Sequence, residues 1–531
     1  MTKRIRILAA FPLADSALQK LADTGTFDVT VKANIEGKDL AKAASGVDIL
    51  IVSDTTIIDS SIIEKADSLK VIAVAGIDTE NMDLDSITSR GILVMNTPKA
   101  RTIAIAEHTI SMLMALCRNI PQATASMKGG KWEKKKFMGT EVYNKTLGIL
   151  GLGNVGRDVA TLAMRIGMRV IAQDPYVSES VAARVGVKLV DLDHLLKHSD
   201  FITIHTPLTD RTKNRIDVKA FKKMKKGVRI INCAGGGIVS ENHLLWALEK
   251  GIVAGAALDV FEGEPEMNKE ILENEKIILT PHLAGATEEA HEKVSMTVAD
   301  QIIDYTGDGT VTSPVNFLAI SPDTLDVIRP YLHLGEKIGS FAGQIIDAET
   351  HISQIEISYL GAMMELPVSP ITPHILKNFL GHVTDRKVNG VNAPVIAQES
   401  NIYVRERTSR ETEDYSSELV LSLTGDHLSL TVIGAIIGSR PRIVKVDDYF
   451  VEAIPEGYML YVSNADFPGV VGSVGSVLGE AGVNIGRMQL ARDNNKQQNL
   501  ILINLDSPVD DAVIEKLSAL ENVRDVCMLK F

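Results

Sequence analysis

An apolar strand, Leu147–Leu150, runs into Gly151, Gly153 and Gly156; a helical stretch opens directly after them, and a second strand closes on Asp174. No other feature of the chain constrains its fold as tightly. In a strand–helix–strand unit, Gly151 allows the tight turn and Gly153 lets backbone N–H groups approach a pyrophosphate, with Asn154 and Val155 opening the helix over it. Gly156 lets helix and strand pack closely. A carboxylate at the end of the second strand, about twenty residues on, accepts from both ribose hydroxyls and repels the additional phosphate of NADP, so the expected cofactor is NAD. A glycine-rich turn alone is also common as plain structure. Here strand, glycines, helix, strand and acid fall in register.

At 531 residues the chain is long enough for about three to four domains. With 45% hydrophobic and 23% charged residues it has ample core, and a net charge of −13 argues against nucleic-acid or anionic-membrane partners. Lys134–Lys136 and Lys222–Lys226 interrupt the acidity, the second expected to end a helix at Gly227 and complement its dipole. Cys117, Cys233 and Cys527 have neither pairing nor metal spacing, so no metal is expected, and three scattered thiols suit a reducing cytoplasm. Met1–Phe11 reads as a first strand rather than a signal peptide, and no window approaches a membrane span.

From residue 5 to about 283, short apolar runs alternate with amphipathic stretches. Ile5–Ala9, Ile49–Val52, Val71–Val74, Ile92–Met95, Leu147–Leu150, Val170–Gln173, Phe201–His205, Val228–Asn232, Gly255–Val260 and Ile277–Thr280 are the expected strands of doubly wound parallel sheets. Because the glycine motif begins well into the chain, a small α/β domain precedes it. Helices around Ala104–Cys117 and Thr287–Asp304 are expected to cross between the two domains. After Ser313-Pro314-Val315-Asn316 the texture changes to antiparallel-looking strands such as Ile352–Tyr359, Glu418–Thr424 and Ile443–Val446. Beyond Ile454-Pro455-Glu456-Gly457 the order is β-α-β-β-α-β, which is ferredoxin-like.

Three later stretches bring chemistry. His205-Thr206-Pro207-Leu208 ends one strand, Asn232-Cys233-Ala234-Gly235-Gly236-Gly237 follows another, and Leu258-Asp259-Val260-Phe261-Glu262-Gly263-Glu264-Pro265 a third, with Pro281-His282-Leu283 beyond. A Glu and a His on successive strand ends can face each other, the carboxylate fixing the imidazole tautomer and stabilising its cation. Taken alone, His282 also reads as a structural histidine.

In this order the motifs resemble those of the D-2-hydroxyacid dehydrogenase family, and within it the long-form phosphoglycerate dehydrogenases, over essentially the whole chain. The residues that carry the likeness also include Trp132–Glu141, Glu411–Ser417, Pro441–Val444, and Asn464–Val470 with Gly482–Ile485. The resemblance implies a fold of two doubly wound Rossmann-like domains followed by an α/β regulatory domain and a ferredoxin-like ACT domain. The substrate-binding domain would span 1–98 and 284–317, the NAD domain 99–283, the intervening regulatory domain 318–455 and the ACT-type domain 456–531. It implies a catalytic His282 with Glu264, and cofactor contacts from His205, Thr206, Pro207, Cys233, Ala234 and Asp259. Substrate would be met by Asn81 and by Lys134, the latter offered to a neighbouring subunit, while Arg101 is a further substrate candidate as a new cation in the family's Asn-Thr-Pro turn. The resemblance further implies a homo-oligomer, dimer or tetramer, with L-serine as effector on Asn464, Asp466 and Asn484; in a ferredoxin-like fold Asn464–Gly469 and Asn484 are expected to be neighbours, and the exposed edge of the domain's strands to need a second chain. Asn and Asp before Pro-Gly equally make plain turns.

Against that pattern the chain departs at the substrate. The family's carboxylate-gripping arginine falls at Gly235, two further arginines fall at Ser53 and Val74, and Asp78 stands where a glycine is expected. Removing one such donor typically costs about 3 kcal/mol, or roughly two to three decades in rate. Three readings stay open: a replacement cation elsewhere, a smaller and less anionic substrate, or a cofactor- and serine-binding regulatory subunit that has lost efficient chemistry.

Overall fold

A computed structural model describes residues 4–347, 350–493 and 497–531. By contact the chain divides into two units: Met1–Pro12, Leu18–Asn96 and Val298–Phe531 form one, and Leu13–Ala17 with Thr97–Thr297 the other.

Strands buried on both faces read as unbroken aliphatic runs, and such runs build the first two sheets. In the first unit β1 (Ile5–Ala9), β2 (Phe27–Val31), β3 (Ile49–Ser53), β4 (Val71–Ala75) and β5 (Leu93–Met95) are parallel in the order β2-β1-β3-β4-β5. β2 was not legible in the sequence, because only Phe27 of its five residues is buried.

The second unit holds a seven-stranded parallel sheet. Its strands are β6 (Thr146–Leu150), β7 (Arg169–Gln173), β8 (Lys188–Leu189), β9 (Phe201–Ile204), β10 (Val228–Asn232), β11 (Val253–Leu258) and β12 (Ile277–Leu279), in the order β12-β11-β10-β9-β6-β7-β8. Consecutive side chains enter different cores: Ile149 and Ile231 join one cluster, Leu150 and Ile230 the other. Order reverses between β6 and β9, so a crevice opens at the carboxyl ends there. The helix before Gly227 is shorter than expected. It ends at Lys223, whose ammonium pairs with Asp193, while Lys225 lies beyond the helix and pairs with Asp200.

The remaining strands belong to the first unit. β13 (Ile352–Gly361), β14 (Tyr403–Ser409), β15 (Ser417–Gly425), β16 (Leu428–Ile437), β17 (Arg440–Val446) and β18 (Tyr449–Ala453) form a sheet ordered β14-β13-β15-β16-β17-β18. It is antiparallel except for β13 and β14, which run parallel. Helix Pro322–Ile345 packs on Ile371–Val383 at close range, since a Cβ at Gly339 would run into the Ile375 carbonyl.

β19 (Tyr458–Ala465), β20 (Ile485–Asp493), β21 (Gln498–Leu505) and β22 (Val523–Lys530) form the last sheet, in the order β20-β21-β19-β22. Its helices, Val470–Glu480 and Asp511–Ser518, share a core with Leu460, Val462 and Ile501. The other face joins the core of the preceding domain through Met459, Leu500, Leu502 and Leu529. The edge strand β20 is met by β18, where the Gln489 amide receives the Glu452 N–H at 3.2 Å and donates to its carbonyl at 3.1 Å. The expectation that this domain's edge needs a second chain is therefore corrected for β20: the chain's own β18 stands there. Among the described residues no helix is long and apolar enough to cross a membrane, and no cluster of three His, Cys, Asp or Glu could hold a metal ion.

Candidate active site and effector site

β6 leads into Gly151, whose φ of +90° and close approach to the His205 carbonyl admit only glycine. Gly156 is equally fixed, because a Cβ would strike the Gly151 carbonyl. Gly153 differs: a Cβ there would meet nothing within 4 Å. Nothing in the protein requires glycine at 153, so the space in front of it is what the glycine keeps clear. Gly153 is also the N-cap of the twelve-residue helix Asn154–Arg165 and supplies no side-chain cap. The first N–H groups of that helix, Asn154, Val155 and Gly156 among them, therefore have no side-chain cap, the arrangement that receives a diphosphate. Asp174 follows β7, half-buried, and its two oxygens accept from the amides of Leu152 and Tyr176, each at 2.8 Å. The acid is thereby tied to the glycine turn. These features fit NAD: an open cradle, an uncapped helix start and an acid braced beside them.

Beyond β9 the His205 amide donates to the Leu150 carbonyl at 2.7 Å, which sets His205-Thr206-Pro207 beside the glycine turn. Burial lowers the His205 pKa to about 3, so its ring is neutral and Nε2 pairs with the Thr203 hydroxyl at 2.9 Å. Beyond β10 the Asn232 side chain shapes the next loop, receiving the Ala234 N–H at 3.1 Å and donating to the Gly235 carbonyl at 2.9 Å. Cys233 is buried there with its thiol pushed up to about 12 by that burial, so it is an inert wall.

Gly235 and Gly236 are unlike. A Cβ at Gly236 would collide with the Phe261 carbonyl, whereas one at Gly235 would make ordinary contact with Ile238 and Leu208. The backbone therefore permits a side chain at 235, and the missing cation is not a consequence of loop geometry.

Asp259 follows β11 and is fully buried. Its carboxylate accepts from the Thr280 hydroxyl at 2.6 Å and from the amides of Leu283 and Ala284, both at 2.8 Å, with His108 Nε2 at 3.4 Å. Burial alone would raise its pKa, but these donors, His108 and Thr280 foremost, hold it below the usual carboxylate value. The loop so anchored carries His282, which has a left-handed φ of +54° and donates its N–H to the Asp259 carbonyl at 2.9 Å. His282 Nδ1 lies 2.9 Å from Glu264 Oε2, and Glu264 Oε1 receives the Phe261 N–H at 2.6 Å. The imidazole is 63% exposed, so the rest of the ring is open to a ligand. His108, Thr280 and Asn232 were missed in the sequence, since nothing local marks a helix histidine or a strand-end threonine as bracing a distant loop.

The substrate candidates fall in both units. In the first, Asn81 donates to the Asp54 carbonyl at 3.2 Å, and Ser53 shares its hydroxyl with Thr55 and Thr56. Val74 is fully buried in the core of that sheet, so a cation could not replace it there without entering apolar packing. In the second, Arg101 precedes helix Thr102–Arg118 and lays its stem against Gly285, three residues past His282. Lys134 is exposed in an irregular segment.

The effector candidates come out differently from the expectation that Asn464–Gly469 and Asn484 are neighbours in one domain. Helix Val470–Glu480 carries the chain back across the sheet before β20 begins. Ile485 stands level with Leu505 and hence with Tyr458, whereas Ala465 is level with Gln498. At about 3.3 Å per residue, Asn464 and Asn484 lie about 20 Å apart along the strands. Asp466 is held by Arg492 Nε at 3.1 Å and Asn499 at 3.0 Å, and Asn484 donates to Asp506 at 2.6 Å. Asn464 is buried with its side-chain oxygen unpartnered.

Comparison with known proteins gives three family matches: the NAD-binding domain of D-isomer specific 2-hydroxyacid dehydrogenases over residues 110–284, the D-3-phosphoglycerate dehydrogenase intervening domain over 327–447 and the ACT domain over 458–522. D-3-phosphoglycerate dehydrogenase of Methanocaldococcus jannaschii is 38% identical over 99% of both chains, and that of Bacillus subtilis 35% identical over 99% of both. Among solved structures, a glyoxylate reductase from a Paecilomyces species superimposes with a TM-score of 0.53 at 30% identity, covering 59% of this chain and 99% of its own. D-lactate dehydrogenase from Escherichia coli gives 0.53 at 26% identity, covering 58% and 99%.

Proposed function

Because the chain belongs to the D-3-phosphoglycerate dehydrogenase family of NAD-binding D-2-hydroxyacid dehydrogenases, we propose that it oxidises a D-2-hydroxy acid, 3-phosphoglycerate first among them, at His282. The observation that carries the reading is the 2.9 Å pair of His282 and Glu264, on the same strand-end edge as the glycine cradle. Bound NAD supplies the acceptor for the hydride leaving C2 of the substrate. His282 Nε2 takes the proton of the C2 hydroxyl as the carbonyl forms. Glu264, fixed by the Phe261 amide, keeps the ring proton on Nδ1 and steadies the imidazolium. Hydride and proton together account for the two hydrogens lost from the alcohol.

Arg101 is the cation of this unit proposed to meet the substrate carboxylate, since its stem borders the His282 loop. With Gly235 in place of an arginine, turnover on the phosphorylated acid is expected to be slow. A second reading, favoured by the apolar Leu208 and Ile238 around Gly235, is a less anionic 2-hydroxy acid. Steady-state assays with NAD over 3-phosphoglycerate, D-lactate and glycolate, each repeated on His282→Ala, decide between them. Activity that survives in His282→Ala sinks both.

The same reading takes the protein as a cytoplasmic homo-oligomer, dimer or tetramer, in the serine-forming route. Exposed Ile120, Met127, Trp132, Met138 and Tyr143 support self-association, because so many large apolar side chains in one segment are otherwise unfavourable in water. L-Serine is the proposed effector, held by Asn464 and Asp466 of one copy and Asn484 of a second.

A further inference from the structure

The first unit contains a cavity of about 360 Å³ that the dehydrogenase reading does not use. It lies where the first sheet meets the following domain: Leu93 of β5 and Tyr305 on one side, helices Pro322–Ile345 and Ile371–Val383 on the other. The seam is stitched beside it, with Asn389 donating to the Gly91 carbonyl at 2.7 Å and Asn392 to that of Ser89 at 3.4 Å. The volume is at the small end of the range of about 300–1,000 Å³ usual for metabolite sites.

Three of its polar groups are uncommitted. Among the described residues, Tyr305, Glu336 and Lys377 are half-buried, yet none forms a side-chain hydrogen bond or ion pair. Being half-buried rather than enclosed, these polar ends remain free to meet a ligand that enters the cavity. Glu336 and Lys377 both act on His374, the one raising and the other lowering its affinity for a proton, yet no ion pair joins them. His374 Nδ1 donates to the Pro370 carbonyl at 2.9 Å, leaving Nε2 as an acceptor. Arg329 makes only a 3.6 Å contact with Asp326 and lies near Asp308. The wall therefore offers a cation and an anion that face the same space and do not meet, above an apolar floor of Leu93, Phe317 and Leu325. Balanced charges of opposite sign suit a zwitterion better than an anion.

We propose that this cavity binds a free L-α-amino acid with a small apolar side chain, its carboxylate on Lys377 and Arg329 and its ammonium on Glu336. Such a ligand bridges both helices at the seam, at a place separate from the serine site proposed for the last domain.

The test is calorimetry on the full chain carrying Asp466→Ala, which disables the other proposed amino-acid site. L-Alanine and L-valine are expected to bind, while propionate and isopropylamine, each with one charge, are not. Lys377→Met and Glu336→Gln, each checked for an unchanged melting temperature, are expected to weaken L-alanine at least tenfold. Should one variant fail to fold, the other and the single-charge compounds still decide. No binding of either amino acid, propionate binding as tightly as L-alanine, or parental affinity in the folded variants overturns the proposal.

Discussion

The Asp259 carbonyl accepts the His282 amide at 2.9 Å while its carboxylate holds the next two amides, so one buried residue fixes the backbone of the reactive histidine. Asp259→Asn keeps the shape but gives up the charge that gathers His108 and Thr280. A loss of about 2–3 kcal/mol in stability is expected, as for hydrogen bonds to a charged group, with a fall in kcat. The folded-state pKa of Asp259 lies below its ordinary 3.8, so its stabilisation is full above that value and is lost as pH falls through the lower one. The gap between the melting temperatures of parent and variant should therefore stay constant above that value and narrow below it. A gap that does not narrow removes the ionised carboxylate as the cause.

His282→Ala should reduce kcat/KM by about two to four decades, the usual worth of a positioned general base. Glu264→Gln keeps a hydrogen bond to Nδ1 but not the charge opposite the imidazolium. It should lower kcat less than His282→Ala does. An unchanged kcat would show that Glu264 serves the loop alone.

Gly235→Arg should fold with a melting temperature near the parent's and raise turnover on 3-phosphoglycerate. Gly236→Ala should be clearly destabilised, because its Cβ displaces the Phe261 carbonyl. Val74→Arg is expected to lower stability, as it buries a charge among aliphatic side chains. The discriminating measurement is thermal unfolding beside steady-state rates. A Gly235→Arg protein that folds and stays no faster than the parent argues for the less anionic substrate.

Gly153→Ala separates fold from cofactor. Its Cβ meets no protein atom, so stability should hold while NADH affinity drops by at least a decade. NADH should bind the parent far more tightly than NADPH, and Asp174→Ala should narrow that gap. Calorimetry giving equal affinities in the parent would refute the role of Asp174.

A thermal-shift titration with L-serine should stabilise the parent and not Asn484→Ala or Asp466→Ala. Because the two halves of the site lie at opposite ends of one domain, the shift should weaken on dilution into monomers. A concentration-independent shift would place serine elsewhere.

By itself the sequence determined the parallel sheets and the cofactor turn, because their causes are local. A strand buried on both faces writes an unbroken aliphatic run, Gly151 takes a positive φ, and Gly156 answers to the Gly151 carbonyl five residues before it. It also placed Glu264 and His282, whose motifs lie close together along the chain. Only the tertiary structure decided that Asp259 is the anchor of the His282 loop with His108, that Gly235 is free to carry a side chain while Gly236 is not, and that Val74 faces a core. Folding alone set Asn464 far from Asn484 and brought β18 against β20. Each of these depends on which distant segments meet, and that is settled by packing of whole elements, of which a local pattern carries no record.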